Sequence, residues 1–332
     1  MKITVKNIRF SIFALCLLAS TALAQNSPVA VPPPEIQDFA GTLTFLSSDW
    51  MEGREPGFLG NYMAADYIAS MMQMNGLDPI GDIKSNQRSY LQHFEIRLYY
   101  PEKTGSLYLI LGRPGRAVVS NVTGMIRGKD TTKSIVVGAH YDHLGIRNGL
   151  IYNGSDDNAS GVAGMLALAK HWCVHNEKPA CNLIFAAWNC EETGKHGSRY
   201  FVRHTEANPR NVIAYINMDM ISRSAPEDTN RRIISIGTRP ESENLRGIAV
   251  AANKNLMHPF ELDLWDVTGH SGSDYSPFTD VNIPVMTFFS GFQVDYHTPE
   301  DDADKADLNK MEDILKIVNN CLIQLQGTFR NE

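Results

Sequence analysis

Apolar residues at helical spacing characterise the chain after residue 35. Ile36, Phe39 and Leu43 recur every three or four residues, which places them on one face of a helix. A loop rich in Gly and Pro, residues 52–60, separates this helix from a second one predicted over residues 62–75. The pattern therefore predicts two helices at the start of the domain.

Short apolar segments follow these helices, and their pattern is typical of β-strands. Strand-like segments broken by Gly and Pro occupy residues 90–98, 106–111 and 117–122. From residue 134 the predicted order is strand 135–139, helix 158–174, strand 182–188, helix 197–205, strand 212–217 and, later, strand 284–289. Apolar strands that alternate with helices indicate a parallel sheet covered on both faces. The predicted fold class is α/β, with three α/β/α layers around a central mixed, mainly parallel sheet.

Acidic or histidine residues stand where these alternating strands end. They are His140 and Asp142 after the first strand, Glu191 and Glu192 after the second, Asp219 after the third and His297 beyond the last. Asp157 stands at the N-terminal edge of a helix, where a lone carboxylate would also stabilise the helix dipole. Because the carboxyl ends of parallel strands share one edge of a sheet, these side chains are expected to converge. Imidazole nitrogens and carboxylate oxygens bind metals, so this edge is predicted to hold a cation.

Composition excludes one class of partner. The 332-residue chain is 43% hydrophobic and 20% charged, which suits a globular protein with a sizeable core. Its formal net charge of −7 offers no basic surface, and no run of Lys or Arg stands out. Nucleic acid is therefore not expected as a partner.

The N-terminal residues have the composition of an export signal. A positively charged start precedes an apolar run over residues 10–18, and an Ala-Leu-Ala triplet at residues 22–24 suits cleavage. The charged residues are Lys2, Lys6 and Arg9. We therefore predict a signal peptide over residues 1–24 and a single domain over residues 25–332.

A retained membrane anchor is the alternative interpretation of this N-terminal segment. The apolar stretch before residue 24 is shorter than the roughly 20 residues that cross a bilayer. The mature chain is therefore expected to have no membrane span and to be exported, to the periplasm or the extracellular medium. Its four cysteines allow two interpretations, a local bridge between Cys173 and Cys181 or small buried thiols. The other two are Cys190 and Cys321.

Several motifs, in order from Phe39 to the C-terminus, resemble those of one family. They are SDWMEGREPG, GAHYDHLG, DDNASG, EETGKHGS, INMDM, SGSDYSPF and YHTPEDD. The chain resembles the co-catalytic zinc exopeptidases, which include bacterial leucyl-type aminopeptidases, glutamate carboxypeptidases and, more distantly, glutaminyl cyclases. The resemblance implies the zinc-exopeptidase (phosphorylase/hydrolase-like) fold. The segment before residue 134 is too short for an inserted protease-associated domain.

The resemblance also implies a metal-binding role for five residues. His140 and Asp219 would bind one zinc ion, Glu192 and His297 a second, and Asp157 would bridge the two. With few protein ligands for each ion, each would keep an open position for water. Two zinc ions per chain are therefore expected.

The same resemblance leads to expectations for four further residues. Asp142 would orient the His140 ring, while Glu191 would act as general base on a water activated by the two zinc ions. Tyr296 would donate its phenol to the developing oxyanion, a place where glutaminyl cyclases tend to carry tryptophan. His143 fits no ligand position and is expected to be a surface or pocket residue.

These expectations favour a secreted, zinc-dependent exopeptidase acting on peptides, of the aminopeptidase type. A glutaminyl-peptide cyclase, or a carboxypeptidase or dipeptidase of the same family, is the alternative. A non-catalytic, receptor-like relative of this fold is disfavoured because all five ligand positions and Glu191 keep the expected residue types.

Overall fold

Nine strands form one mixed sheet in the computed structural model, which describes residues 31–97, 115–174, 178–204, 211–268 and 272–328. The strands in these ranges are β1 (Asp78–Pro79), β2 (Ile83–Lys84), β3 (Gln87–Arg88), β4 (Leu91–Arg97), β5 (Arg116–Ile126), β6 (Asp130–His140), β7 (Gly145–Arg147), β8 (Leu150–Tyr152), β9 (Cys181–Trp188), β10 (Val212–Met218), β11 (Ile233–Thr238), β12 (Glu261–Asp266) and β13 (Val285–Phe289). The helices are α1 (Ile36–Leu46), α2 (Leu59–Asn75), α3 (Gly161–Val174), α4 (His196–His204), α5 (Glu243–Lys254), α6 (Ser276–Thr279) and α7 (Leu308–Thr328).

Parallel strands form the centre of the large sheet. Its order is β1-β5-β9-β6-β10-β13-β11-β12, and β4 pairs with β5. Strands β9, β6, β10 and β13 run parallel to one another. Strand β5 is antiparallel to β9, β11 is antiparallel to β13, and β12 is parallel to β11. The architecture is the mixed α/β sheet that the sequence predicts.

Burial on both faces explains the apolar character of the central strands. All eight residues of β9 are buried, so neither face of this strand meets solvent. On one face α3 packs closely against α7, because a Cβ atom on Gly164 would lie only 2.7 Å from Leu315 Cδ2. On the other face Phe201 of α4 and Phe278 of α6 pack against Trp188. The helices therefore form the two outer layers.

Several elements were not predicted from the sequence. The longer ones are β11, α5, β12 and α7, and the shorter ones are β1, β2, β3, β7, β8 and α6. The burial pattern of α7 is that of an amphipathic helix, with Met311, Leu315, Val318 and Leu322 buried at helical spacing, so its signal was present. Strand β12 is mostly exposed and alternates polar with apolar residues, which produces no buried run.

Some predictions concern residues that the structure does not describe. The predicted signal peptide over residues 1–24 and the predicted strand over residues 106–111 lie outside the described ranges. Among the helices described, none combines the length and the apolar character needed to cross a membrane. The four cysteines of the described chain are all free, so no bridge joins Cys173 to Cys181.

Phe278 should contribute strongly to stability because its ring is stacked between buried aromatic groups. It is fully buried, 3.9 Å from the Tyr215 ring centroid and 5.9 Å from that of Trp188. Phe278→Ala should lower the free energy of unfolding by about 3–5 kcal/mol, since it removes the ring and leaves a cavity. Urea denaturation measures this loss. Met257→Ala, at a residue 89% exposed, is the control and should change the value by less than about 0.5 kcal/mol.

Candidate metal centre

The central strands carry the predicted ligands to one edge of the sheet. His140 is the last residue of β6 and Asp219 directly follows β10, the parallel neighbour of β6. Glu191 and Glu192 lie just beyond β9, on the other side of β6. Asp157 lies in a turn over Ser155–Ser160 that precedes α3, and its own backbone angles, φ −107° and ψ 91°, are not helical. Parallel pairing therefore brings together groups that are distant in sequence.

Asp157 lies between two imidazole rings, with one carboxylate oxygen towards each. His140 Nε2 is 3.2 Å from Asp157 Oδ1 and 3.4 Å from Asp219 Oδ1. His297 Nε2 is 3.1 Å from Asp157 Oδ2 and 3.3 Å from Glu192 Oε2. All five residues predicted as ligands therefore converge, as two groups that share Asp157.

The chemistry of this cluster fits a bound divalent metal. His297 Nε2 is buried and has no hydrogen-bond partner within the described residues, although two carboxylates face it. His140, Asp157 and Asp219 present ligand atoms within 4.8 Å of one another. Buried carboxylates are costly unless they are paired or coordinate a metal. Nitrogen and oxygen donors in this arrangement suit zinc.

The position of His143 differs from the expectation of a surface or pocket residue. The side chain is buried, with its Nδ1 2.7 Å from Glu192 Oε1 and 3.8 Å from Asp157 Oδ2. It forms a second ligand-type group with Asp157 and Glu192. The reason is that the chain turns back after β6, where the His143 N–H donates to the Arg54 carbonyl oxygen. Its spacing three residues after His140 was the available signal.

Asp142 contacts the His140 ring mainly through its main chain. His140 Nδ1 lies 3.2 Å from the Asp142 carbonyl oxygen and 3.8 Å from its carboxylate. The carboxylate instead accepts the backbone N–H groups of Glu191 and Glu192, at 3.1 and 3.3 Å. Burial raises the pKa of Asp142 to about 7, against the opposing effect of the His140 ring. Asp142 thus connects the end of β6 to the Glu191–Glu192 pair.

Glu191 and Tyr296 line the cavity that opens beside this cluster. The cavity has a volume of about 530 Å³ and also reaches His140, Asp157 and Asp219. Burial raises the pKa of Glu191 well above its usual range, the His140 ring opposes this, and nearby carboxylates add to it. The Tyr296 ring stacks on His297 with centroids 3.8 Å apart. Both groups therefore face the space that a substrate would enter.

Left-handed backbone conformations occur directly beside the ligands. Cys190, Met220 and His297 have φ values of 62°, 58° and 57°. Such conformations disfavour residues other than Gly and persist where the surrounding structure demands them. Cys190 precedes Glu191 and Met220 follows Asp219, so the strained positions lie where the chain leaves a strand to present a side chain.

Arg54 is a buried cation beneath the cluster, and the sequence interpretation gave it no role. It is fully buried and donates hydrogen bonds to the carbonyl oxygens of Tyr141, Asn153 and Gly154 at 2.7, 2.7 and 2.8 Å. It also donates to the Leu46 carbonyl oxygen. Burial lowers the pKa of Arg54 to about 10, while the carboxylate of Asp157 opposes that shift.

Comparison with known proteins identifies relatives of this chain. Residues 121–322 match the sequence model of peptidase family M28. Leucine aminopeptidase 2 of Trichophyton rubrum is 31% identical over 186 residues, which cover 54% of this chain and 35% of that protein. The chain thus spans about a third of the length of this curated relative.

Solved structures show the same fold. BSAP, a zinc aminopeptidase from Bacillus subtilis, aligns with a TM-score of 0.65 and 18% identity over 89% of this chain and 96% of its own. The glutaminyl cyclase of Porphyromonas gingivalis aligns with a TM-score of 0.67 and 16% identity over 88% of this chain and 99% of its own. These similarities confirm the predicted fold.

Arg54→Lys should destabilise the protein, because a lysine ammonium cannot reach the four carbonyl oxygens that the guanidinium joins. Each buried carbonyl left without a donor costs about 1–3 kcal/mol, so the free energy of unfolding should fall by about 2–5 kcal/mol. Arg147→Lys is the matched control, since among the described residues the exposed Arg147 donates only to the Leu144 carbonyl oxygen. Equal stability of the two variants in urea denaturation would contradict the role assigned to Arg54.

Proposed function

The chain belongs to peptidase family M28, and we propose that it is an exported aminopeptidase that uses two zinc ions to remove N-terminal residues from peptides. The observation that carries this proposal is the position of Asp157, which faces His140 with one carboxylate oxygen and His297 with the other. A carboxylate shared in this way supports a pair of metal ions. The charged and apolar segment over residues 1–24 supports export.

Five residues would hold the two zinc ions. His140 and Asp219 would bind one ion, Glu192 and His297 the other, and Asp157 both. Bound zinc would lower the pKa of a water molecule and polarise a substrate carbonyl group. His143 would act through Glu192, because its Nδ1 lies 2.7 Å from that carboxylate. The donor types and the shared carboxylate agree with this assignment.

Glu191 is the proposed general base. It lines the same cavity as the ligands and directly precedes the ligand Glu192. Its carboxylate would take the proton of the attacking water and return it to the leaving amine. The Asp142 carboxylate, which accepts the Glu191 and Glu192 N–H groups, would position both glutamates.

Tyr296 favours peptide hydrolysis over glutaminyl cyclisation. Its ring stacks on His297 and lines the cavity, so its phenol could donate a hydrogen bond to an oxygen that gains negative charge. The tryptophan that cyclases tend to carry at this place has only an indole N–H. The aminopeptidase is therefore preferred to the cyclase.

Hydrolysis of aminoacyl anilides should depend on bound zinc. We expect the purified protein to contain two zinc ions per chain, to lose activity on chelation and to regain it with zinc. N-blocked dipeptides should remain intact and glutaminyl peptides should not cyclise. Asp157→Ala should lose zinc, measured by elemental analysis, whereas Asp304→Ala, at an exposed carboxylate, should retain it. If the protein cyclised glutaminyl peptides and did not hydrolyse aminoacyl anilides, the aminopeptidase assignment would be wrong.

Glu191→Gln should keep the zinc and lose most of the turnover, because the amide has the same shape but accepts a proton poorly. We expect kcat to fall by about two to four orders of magnitude, with unchanged metal content. Glu227→Gln, at an exposed glutamate, is the matched control and should keep the full rate. If the Glu191 variant retained a near-native kcat, the general base would have to be another group.

A further inference from the structure

The cavity beside the candidate metal centre continues sideways over the antiparallel half of the sheet. We call this part the side pocket; it is lined by Ser235, Asp263, Trp265, Tyr275, Thr287 and Phe289. These residues come from β13, β11, β12 and the segment before α6. None of them belongs to the proposed metal ligands or the general base, so the side pocket is available to contact a substrate side chain.

The register of three strands places these residues in two rows on one face. Phe289 of β13 pairs with Ser235 of β11, which pairs with Asp263 of β12. Two residues along, Gly237 of β11 pairs with both Thr287 and Trp265. Since side chains two residues apart in a strand share a face, both rows point to the same side of the sheet.

Aromatic rings form the walls of the side pocket. A Cβ atom on Gly237 would lie 2.5 Å from ring carbons of Trp265 and 2.8 Å from Thr287 Cγ2, so the missing side chain lets the indole cover β11. The Trp265 ring meets Tyr275 with centroids 5.9 Å apart. On the other side, Phe289 meets Phe292 at 4.9 Å. The walls suit a flat or elongated apolar group.

Asp263 places a negative charge at the far end of these walls. Ser235 Oγ donates a hydrogen bond to Asp263 Oδ2 at 2.6 Å, which orients the carboxylate. Within the described residues Arg246 and Arg232 pair with Asp266 and Asp313 rather than with Asp263, and no Lys or Arg lines the cavity. Apart from the proposed ligands and Glu191, Asp263 is the only carboxylate among the described residues that line the cavity. A cation would complement it.

The distance from the metal centre selects a long side chain. Strands β10, β13, β11 and β12 are successive neighbours, so Asp263 lies three strand spacings, about 14 Å, from β10, the strand that Asp219 directly follows. The carboxylates at both ends shorten the gap that a substrate must bridge. Lys and Arg combine a long apolar stem, or a planar guanidinium that stacks on aromatic rings, with a terminal positive charge.

On the basis of the proposed aminopeptidase function, we infer that the side pocket selects peptides with an N-terminal Arg or Lys and that Asp263 is the specificity-determining residue. The substrate stem lies between the Trp265 and Phe289 rings, and its cationic end pairs with the Asp263 carboxylate. Stacking of a cation on Trp and a charge-assisted hydrogen bond both favour this ligand.

The test compares arginyl, lysyl, leucyl and glutamyl anilides with wild-type protein and Asp263→Asn. We expect the wild type to prefer the basic substrates, and the isosteric variant to lose about tenfold or more in kcat/KM on them and less than about twofold on leucyl anilide. Asp263→Lys should lower kcat/KM on the basic substrates further and raise kcat/KM on the glutamyl substrate. Asp266→Asn is the matched control, since Asp266 is exposed on the opposite face of β12 and pairs with Arg246.

A binding experiment tests the side pocket independently of the proposed hydrolysis. Calorimetry measures the affinity of the protein for argininamide and for leucinamide. Tighter binding of argininamide that is lost in Asp263→Asn supports the side pocket even if no anilide is hydrolysed, a result that would reject only the aminopeptidase. If wild type prefers leucyl substrates and Asp263→Asn leaves the ratio of arginyl to leucyl binding and hydrolysis unchanged, the inference is wrong.

Discussion

Buried negative charge is the constraint on which the rest of this structure depends. Five aspartates are almost completely buried near one edge of the sheet: Asp142, Asp156, Asp157, Asp274 and Asp301. Ionised carboxylates without partners would cost more than the few kcal/mol by which a domain is stable. Burial alone raises the pKa of Asp157, yet the His140 and His297 rings hold it below its usual range. Hydrogen bonds from backbone N–H groups and nearby cations must supply the remaining compensation, and the proposed metal ions would add to it.

Arg54 and Asp301 hold the turn that carries Asp157 from two sides. The Arg54 guanidinium donates a hydrogen bond to the carbonyl oxygen of Gly154. The Asp301 carboxylate accepts hydrogen bonds from the N–H groups of Asp156 and Asp157 at 3.1 Å. The Asp157 carboxylate, on a short turn, would otherwise be free to rotate away from His140 and His297. The turn is instead fixed by one buried cation and one buried anion, each satisfied largely by main-chain groups. Precise ligand placement therefore depends on residues that would touch neither metal nor substrate.

The sequence predicted the parallel core and the convergence of five ligand-type residues because both leave local signals, apolar strands and polar residues at their ends. Arg54 and His143 were not assigned to the site, since their roles arise from contacts with segments far along the chain. Arg54 in particular donates hydrogen bonds to the carbonyl oxygens of Asn153 and Gly154, which lie 99 and 100 residues further along the chain. Strand β12 was missed for a different reason: its mostly exposed pattern comes from lying at the sheet edge, where no second layer demands an apolar run.

The parallel half of the sheet carries the proposed metal site, and the half beyond β13 carries the side pocket. The parallel strands bring their carboxyl ends, and so the proposed metal ligands, to one edge. Beyond β13 the direction reverses, and β11 presents the start of the strand at that same edge. Ser235, the third residue of β11, therefore lies beside Phe289, the last residue of β13. This reversal lets a flat strand surface, with side chains at fixed two-residue intervals, extend from the metal centre. Selectivity can then change through Asp263 and its neighbours while the ligands stay in place.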